Sequence, residues 1–440
     1  MAVGGTHEVR KRVTAAEPVD WEDPDAWQGE DPGPASEHDY GTNGSSHSVE
    51  PEGATPTVST LGIWDAGMDN DSIPPRGWLL GNVFCRKFAS SLIADGGVGK
   101  TAVRVAQLLS MASGRPLTGE HVFCRCKVLL ICLEDDKDEL RRRVKAAMIH
   151  HCIKPEDVAG HLFLSAPGAR GGKLLAEDDA GHQRPGALVD NLRLEIKNLG
   201  IDIVSLDPFI KAHSVEENDN SAIDDVMQIL TDLAAEFNIA VDVPHHTSKG
   251  PADPGNANRG RGASGMKDAA RLVYTLSPMS PAEAELMGVD EAKRRSLIRL
   301  DAGKVNIAPP LDSAKWFQLV GVDLGNKSDL YPHGDNVQTV VTWEAPDTWA
   351  GLSTAILNDI LTRIDQGLED GNRFTQGSKT TDRSAWKVVA EFAPDKTEPQ
   401  AKKIINTWVA NGVLTVTDYT NPGTRKPAKG LTLNHSKRPG

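Results

Sequence analysis

The run Ala94-Asp95-Gly96-Gly97-Val98-Gly99-Lys100-Thr101 carries the residue types that hold a polyphosphate. Glycines at 96, 97 and 99 let backbone N–H groups turn toward phosphate oxygens, and a helix starting there adds its positive N-terminal end. Lys100 would reach the β and γ phosphates, and the Thr101 hydroxyl would ligate Mg²⁺. The usual spacing is G-x-x-x-x-G-K-[ST]. Ala94 stands where the first glycine is usual, a position that needs a small residue more than a positive φ. Ala94 through Ala102 are therefore the expected nucleotide-binding residues, with ATP and Mg²⁺ as ligands.

A nucleotide site of this kind needs carboxylates at neighbouring strand ends. Ile201-Asp202-Ile203-Val204-Ser205-Leu206-Asp207 is an apolar run closing on an aspartate, so Asp207 would hold Mg²⁺ through water. Pro208 follows it, so the acid that polarises water must come from elsewhere. Glu134, in Leu133-Glu134-Asp135-Asp136, lies past another apolar run, where a carboxylate can orient water and take its proton. Asp135 is the alternative base, and Glu134 as a simple helix cap is the alternative role. Past a third run, Val243-Pro244-His245-His246-Thr247-Ser248-Lys249 offers His246 or Thr247 as a γ-phosphate sensor. The glycine-rich loop with Arg259 and Arg261 can contact a nucleic-acid backbone or give a cation to a neighbouring subunit's ATP.

The elements that position these residues alternate between strand and helix. Phe88–Ile93 reads as a strand entering the loop and Thr101–Ala112 as the helix leaving it. Lys127–Leu133, Ile201–Leu206, Ile239–Val243, Arg271–Leu276 and Ser296–Leu300 read as further strands. Lys137–Met148 and Ala222–Phe237 read as helices between them. The expected class is α/β: a P-loop core with a mostly parallel sheet over residues 61–345.

Residues 1–60 hold three basic and twelve acidic residues without apolar periodicity, which predicts a disordered tail. Residues 346–379 read as a linker with one helix near Leu352–Ile364. Residues 380–440 read as helix, helix, strand, basic loop, strand, the order of a winged helix-turn-helix. Residues 379–440 hold eleven basic and five acidic residues in a chain of net charge −13. Lys402, Arg425 and Lys426 are its expected contacts to duplex DNA, with docking to a replication protein as the alternative.

No apolar run approaches the ~20 residues of a membrane helix. Five cysteines, all between Cys85 and Cys152, without framework spacing, suggest reduced thiols in a cytoplasmic protein. Cys124, Cys126, His150 and His151 lack zinc-knuckle spacing and read as ordinary packing.

Taken in order, Pro74–Trp78, Ala94–Thr101, Leu133-Glu134-Asp135, Leu206-Asp207-Pro208, His245–Lys249, Arg261–Arg271 and Asp301-Ala302-Gly303-Lys304 resemble the five-motif ATPases of the RecA/DnaB superfamily. Within it they resemble the RepA-type hexameric helicase branch of plasmids, phages and integrated elements, over Ser72 to Leu319. The resemblance implies a RecA-like core assembled into a homo-oligomeric ring, a hexamer in that branch, with ATP bound between subunits. It makes Glu134 the expected catalytic glutamate. It implies that Arg271 or Lys304 reaches the neighbour's phosphates, and that loops near Lys249–Ser264 touch single-stranded DNA in a channel. The expected activity is ATP-driven DNA unwinding in phage or plasmid replication. The rivals are an ATP-regulated DNA-binding initiator, a filament-forming recombination ATPase, and a metabolic P-loop kinase.

Overall fold

The computed structural model describes residues 62–177, 183–216, 219–247, 253–260, 263–309, 313–377 and 382–439. The tail expected over residues 1–60 lies outside them. The chain divides into two units, Met1–Ser72 and Ile73–Gly440. The second holds every helix and strand found among the described residues.

Its centre is a sheet of strands β1 (Ala89–Ala94), β2 (Val128–Cys132), β3 (Leu162–Ser165), β4 (Ile203–Asp207), β5 (Ala240–Asp242), β6 (His245–His246), β7 (Leu272–Pro278), β8 (Leu297–Val305), β9 (Lys315–Asp323) and β10 (Asn336–Trp343). The order is β10-β9-β8-β7-β1-β5-β4-β2-β3, with β6 continuing beside β1. Pairings from β7 to β3 are parallel, and β8, β9 and β10 extend the sheet antiparallel. The mostly parallel sheet expected from the apolar runs is present. Strands β1, β2 and β4 are buried at every position, as parallel strands covered on both faces must be.

Helices cover both faces. On one lie α1 (Lys100–Ser113) and α2 (Lys137–His150), which share a core through the Val103, Leu109, Leu140 and Val144 side chains. On the other lie α3 (Ala187–Leu199) and α4 (Asn220–Glu236), packed through Leu188, Leu192, Val226 and Leu230. A shorter helix, α5 (Ala263–Ala269), leads into β7. Local chemistry sets the helix ends. Gly99 and Gly114, both left-handed, bracket α1, a conformation that favours glycine. The Asp136 carboxylate caps α2 by accepting from the Asp138 and Glu139 N–H groups, and Asp219 caps α4.

A third core joins α6 (Thr354–Gln366), α7 (Trp386–Phe392), α8 (Glu398–Ala410) and the hairpin of β11 (Leu414–Thr420) and β12 (Pro427–Leu433). The helix expected near Leu352–Ile364 is α6, and its Ile360, Leu361 and Ile364 belong to this core. The start of α8 rests on the short helix Pro281–Met287: the Thr397 hydroxyl donates to the Glu285 carbonyl at 2.8 Å.

Candidate nucleotide site

Strand β1 delivers the chain into the loop, and α1 leaves it at Lys100. Gly97 and Gly99 have φ of 79° and 107°. A side chain at Gly99 would also meet Leu319 Cδ2 of β9 at 2.7 Å, so conformation and space both require glycine there. At Gly96 and Gly97 nothing stands within 4 Å of a would-be Cβ, which leaves an open cradle beside the loop.

This cradle opens into a cavity of about 580 Å³. Asp95, Gly96, Gly97, Gly99, Lys100, Thr101 and Ala102 line it, together with Glu134, Asp207 and His246. The ends of several strands thus converge on one space, at the C-terminal edge where open parallel sheets bind ligands. Val98 packs partly buried against the core on the α1 side, and Ala94 ends β1 in full burial.

The Thr101 hydroxyl donates to the Asp207 carboxylate at 2.8 Å. Two hard oxygen ligands side by side suit Mg²⁺, which binds few protein groups and takes phosphates and water for the rest. Lys100 Nζ is buried and has no hydrogen-bond partner among the described residues. Burial pushes its ammonium below the usual lysine range, while the Asp207, Glu134 and Asp242 carboxylates oppose this. A buried cation without a partner is costly, and a bound phosphate would complete it.

The three acidic residues after β2 separate by role. Asp136 is the cap of α2, and Asp135 pairs with Arg143 at 2.9 Å. Glu134 therefore does not cap the helix and faces the cavity with Lys100 nearby. The Thr247 hydroxyl donates to the Asp95 carboxylate, and its N–H donates to the Ala94 carbonyl at 3.1 Å. The expected sensor segment is thereby tied to the loop itself.

Arg271 and Lys304 lie elsewhere. Leu272 pairs with Ser90 and Leu276 with Ala94, so Arg271 stands at the far edge of the sheet, about 17 Å from the loop at the usual rise per residue. Lys304 shares that corner and donates to the Lys267 and Asp268 carbonyls at 2.6 and 3.0 Å, tying down the end of α5. Neither serves the cavity of its own chain. Lys249, Arg261 and the Arg259 side chain lie outside the described residues. In the C-terminal module, Lys402 pairs with Glu398 at 2.7 Å and rests over the Trp386 ring. Arg425 and Lys426 are exposed at the tip of the hairpin. Cys124 and Cys126 have sulfurs 3.6 Å apart, and no metal-type cluster of three or more His, Cys, Asp or Glu forms among the described residues.

Two groups of residues at the site were not legible in the sequence. Asn336, Val337, Gln338 and Thr339 of β10 line the cavity with Glu139 and Arg143 of α2. They lie far from the loop along the chain, and the stretch Val337–Thr342, β-branched except at Gln338, could have marked a strand without saying what it faces. Below the loop, the wholly buried Asp242 carboxylate meets Arg104 of α1 at 2.8 Å and accepts from Ser205 of β4 at 2.9 Å and Ser90 of β1 at 3.2 Å. Burial pushes its acid upward, against Arg104 and both hydroxyls. This carboxylate joins the loop helix, the loop strand and the Asp207 strand.

A sheet of this order, with a phosphate loop, a magnesium-type pair and a third carboxylate at adjacent strand ends, defines a P-loop nucleotide-binding core. Residues 54–252 match the family model described as an AAA domain, and the match indicates a P-loop ATPase of the RecA/DnaB-like type. No helix among the described residues is long and apolar enough to cross a membrane.

Proposed function

We propose that this chain is a ring-forming, ATP-driven translocase on single-stranded DNA, a helicase of the RepA-type branch acting in phage or plasmid replication. The observation that carries this reading is the division of charges between the two sheet edges. The cavity brings its own Lys100, Asp207 and Glu134 together, while Arg143 is occupied by Asp135 and Glu139 at 2.9 and 3.2 Å. The exposed Arg271 stands at the opposite edge, where it suits a neighbour's phosphates. Lys304 would steady that corner or share its role.

Lys100 binds and orients the β and γ phosphates, and Thr101 and Asp207 hold Mg²⁺, which screens phosphate charge. Glu134 orients water in line with the γ-phosphate and accepts its proton. His246 and Thr247 respond to the γ-phosphate, and Lys249, Arg259 and Arg261 carry that response to DNA in the channel. The C-terminal module is read as a winged helix. Because the start of α8 is covered by Pro281–Met287, the module's duplex-DNA or protein contacts fall to the hairpin tip at Arg425 and Lys426.

Mixing subunits tests the shared site. Arg271→Ala and Lys100→Ala chains are each expected to be inactive alone and to recover part of the hydrolysis when mixed. Arginine contacts of this type are worth ~10³–10⁵ in rate. Full activity of Arg271→Ala and Lys304→Ala alone would remove the shared site.

A further inference from the structure

We propose that Cys124 and Cys126 are a modification site, a thiol pair that hydrogen peroxide converts reversibly to an intrachain disulfide. All five cysteines are free thiols, and neither of these two lines the nucleotide cavity. Their sulfurs are in contact at 3.6 Å. Cys124 is exposed and Cys126 is buried, so the pair offers one sulfur to solvent and keeps the other in reserve.

The backbone around the pair holds this contact. The Phe123 N–H donates to the Leu79 carbonyl at 3.1 Å, and the Cys126 N–H donates to the Met111 carbonyl of α1 at 2.9 Å. The Lys127 N–H donates to the Asp202 carboxylate at 2.7 Å. The guanidinium of the intervening Arg125 donates to the Ala112 and Asp157 carbonyls at 3.0 and 2.7 Å. Closing the sulfurs from 3.6 Å to the ~2.05 Å of a disulfide therefore falls mainly on the exposed Cys124 side chain, because Cys126 is packed in the core.

Exposure makes Cys124 the thiol that reacts first, since the oxidant can reach it. Burial pushes the Cys126 thiol up, against the Arg86 charge, and its S–H donates to the Cys124 carbonyl at 3.3 Å. In the first step the Cys124 sulfur attacks one peroxide oxygen and the O–O bond breaks. Sulfur is oxidised to a sulfenic acid, and the other oxygen leaves as water with the thiol proton. In the second step the Cys126 sulfur attacks the Cys124 sulfur. The S–S bond forms, the S–O bond breaks, and hydroxide leaves as water with the Cys126 proton. Two thiols and one peroxide thus give one disulfide and two waters. The sulfur contact decides the outcome, because a sulfenic acid without a resolving thiol goes on to the irreversible sulfinic acid. A reducing thiol can reach the exposed Cys124 sulfur and reverse the change.

Mass spectrometry of the full chain tests the proposal, after hydrogen peroxide and again after dithiothreitol, with free thiols alkylated before digestion. Trypsin cuts after Arg125, between the two cysteines. It separates them in the reduced chain, whereas a disulfide keeps the fragments joined. The expected product is joined fragments lighter by two hydrogens, separated again by dithiothreitol. Cys126→Ala, which keeps the core position apolar, is expected to gain two oxygens at Cys124, and dithiothreitol is expected not to remove them. Cys152, an exposed thiol outside the pair, is the internal comparison and is expected to follow that second course. Equal oxygen gain at Cys124 in both chains would make the contact ordinary packing and overturn the proposal. So would a disulfide joining two chains, or a Cys124 that stays a free thiol.

Discussion

Glu134, Asp135 and Asp136 are adjacent and alike in charge, yet their surroundings give them different work. Asp136 caps α2 and Asp135 pairs with Arg143, while Glu134 lines the cavity without either task, which is why the proposed function gives it the water. Glu134→Gln is expected to keep nucleotide binding and cut turnover by ~10²–10⁴, the usual worth of a general base. Asp135→Asn is expected to cost far less; the reverse ranking in a steady-state assay would assign the base to Asp135. Lys100 makes a second, pH-dependent prediction. Its ammonium is lowered from 10.5 in the free site by burial, and a bound triphosphate restores the charged form. Binding then takes up a proton at pH above the lowered value, so affinity should fall as pH rises through it. Lys100→Arg, always charged, should flatten that slope; an unchanged slope would mean that another group titrates.

At the scale of elements, the Arg104–Asp242 pair holds α1 to β5 while Ser90 and Ser205 bring in β1 and β4. Removing one partner of a buried pair leaves an unpaired charge and costs roughly 3–5 kcal/mol. Arg104→Met should therefore lower the thermal midpoint strongly, and Arg104→Met with Asp242→Leu should recover much of it. A single variant as stable as the parent would show that the pair is solvated. The phosphate loop, Asp207 and Glu134 were legible in the sequence, because each is announced by a short apolar strand and a local residue pattern. Helices α1, α2 and α4 were legible as the stretches between those apolar runs. The Asp242 hub was not, because Asp242 lies inside the apolar run Ile239–Val243 and its partners are distant in sequence. Strand β10 could not be read as a cavity wall, because only folding brings residues 336–339 beside residues 95–102.

At the scale of the molecule, one sheet separates two kinds of surface. Its C-terminal edge gathers the nucleotide residues, and its far edge presents Arg271 and Lys304. The C-terminal module is fastened to Pro281–Met287 through Thr397, and Gln400 lies buried beside Gly288. Motion of the ATPase core would thus be carried to the basic hairpin. If nucleotide hydrolysis moves DNA, the full chain must displace one strand from a forked duplex, and that displacement is best measured beside Lys100→Ala. The expected result is ATP-dependent displacement that Lys100→Ala abolishes. An assembled protein that hydrolyses ATP and leaves the fork intact would replace translocation with an ATP-driven switch.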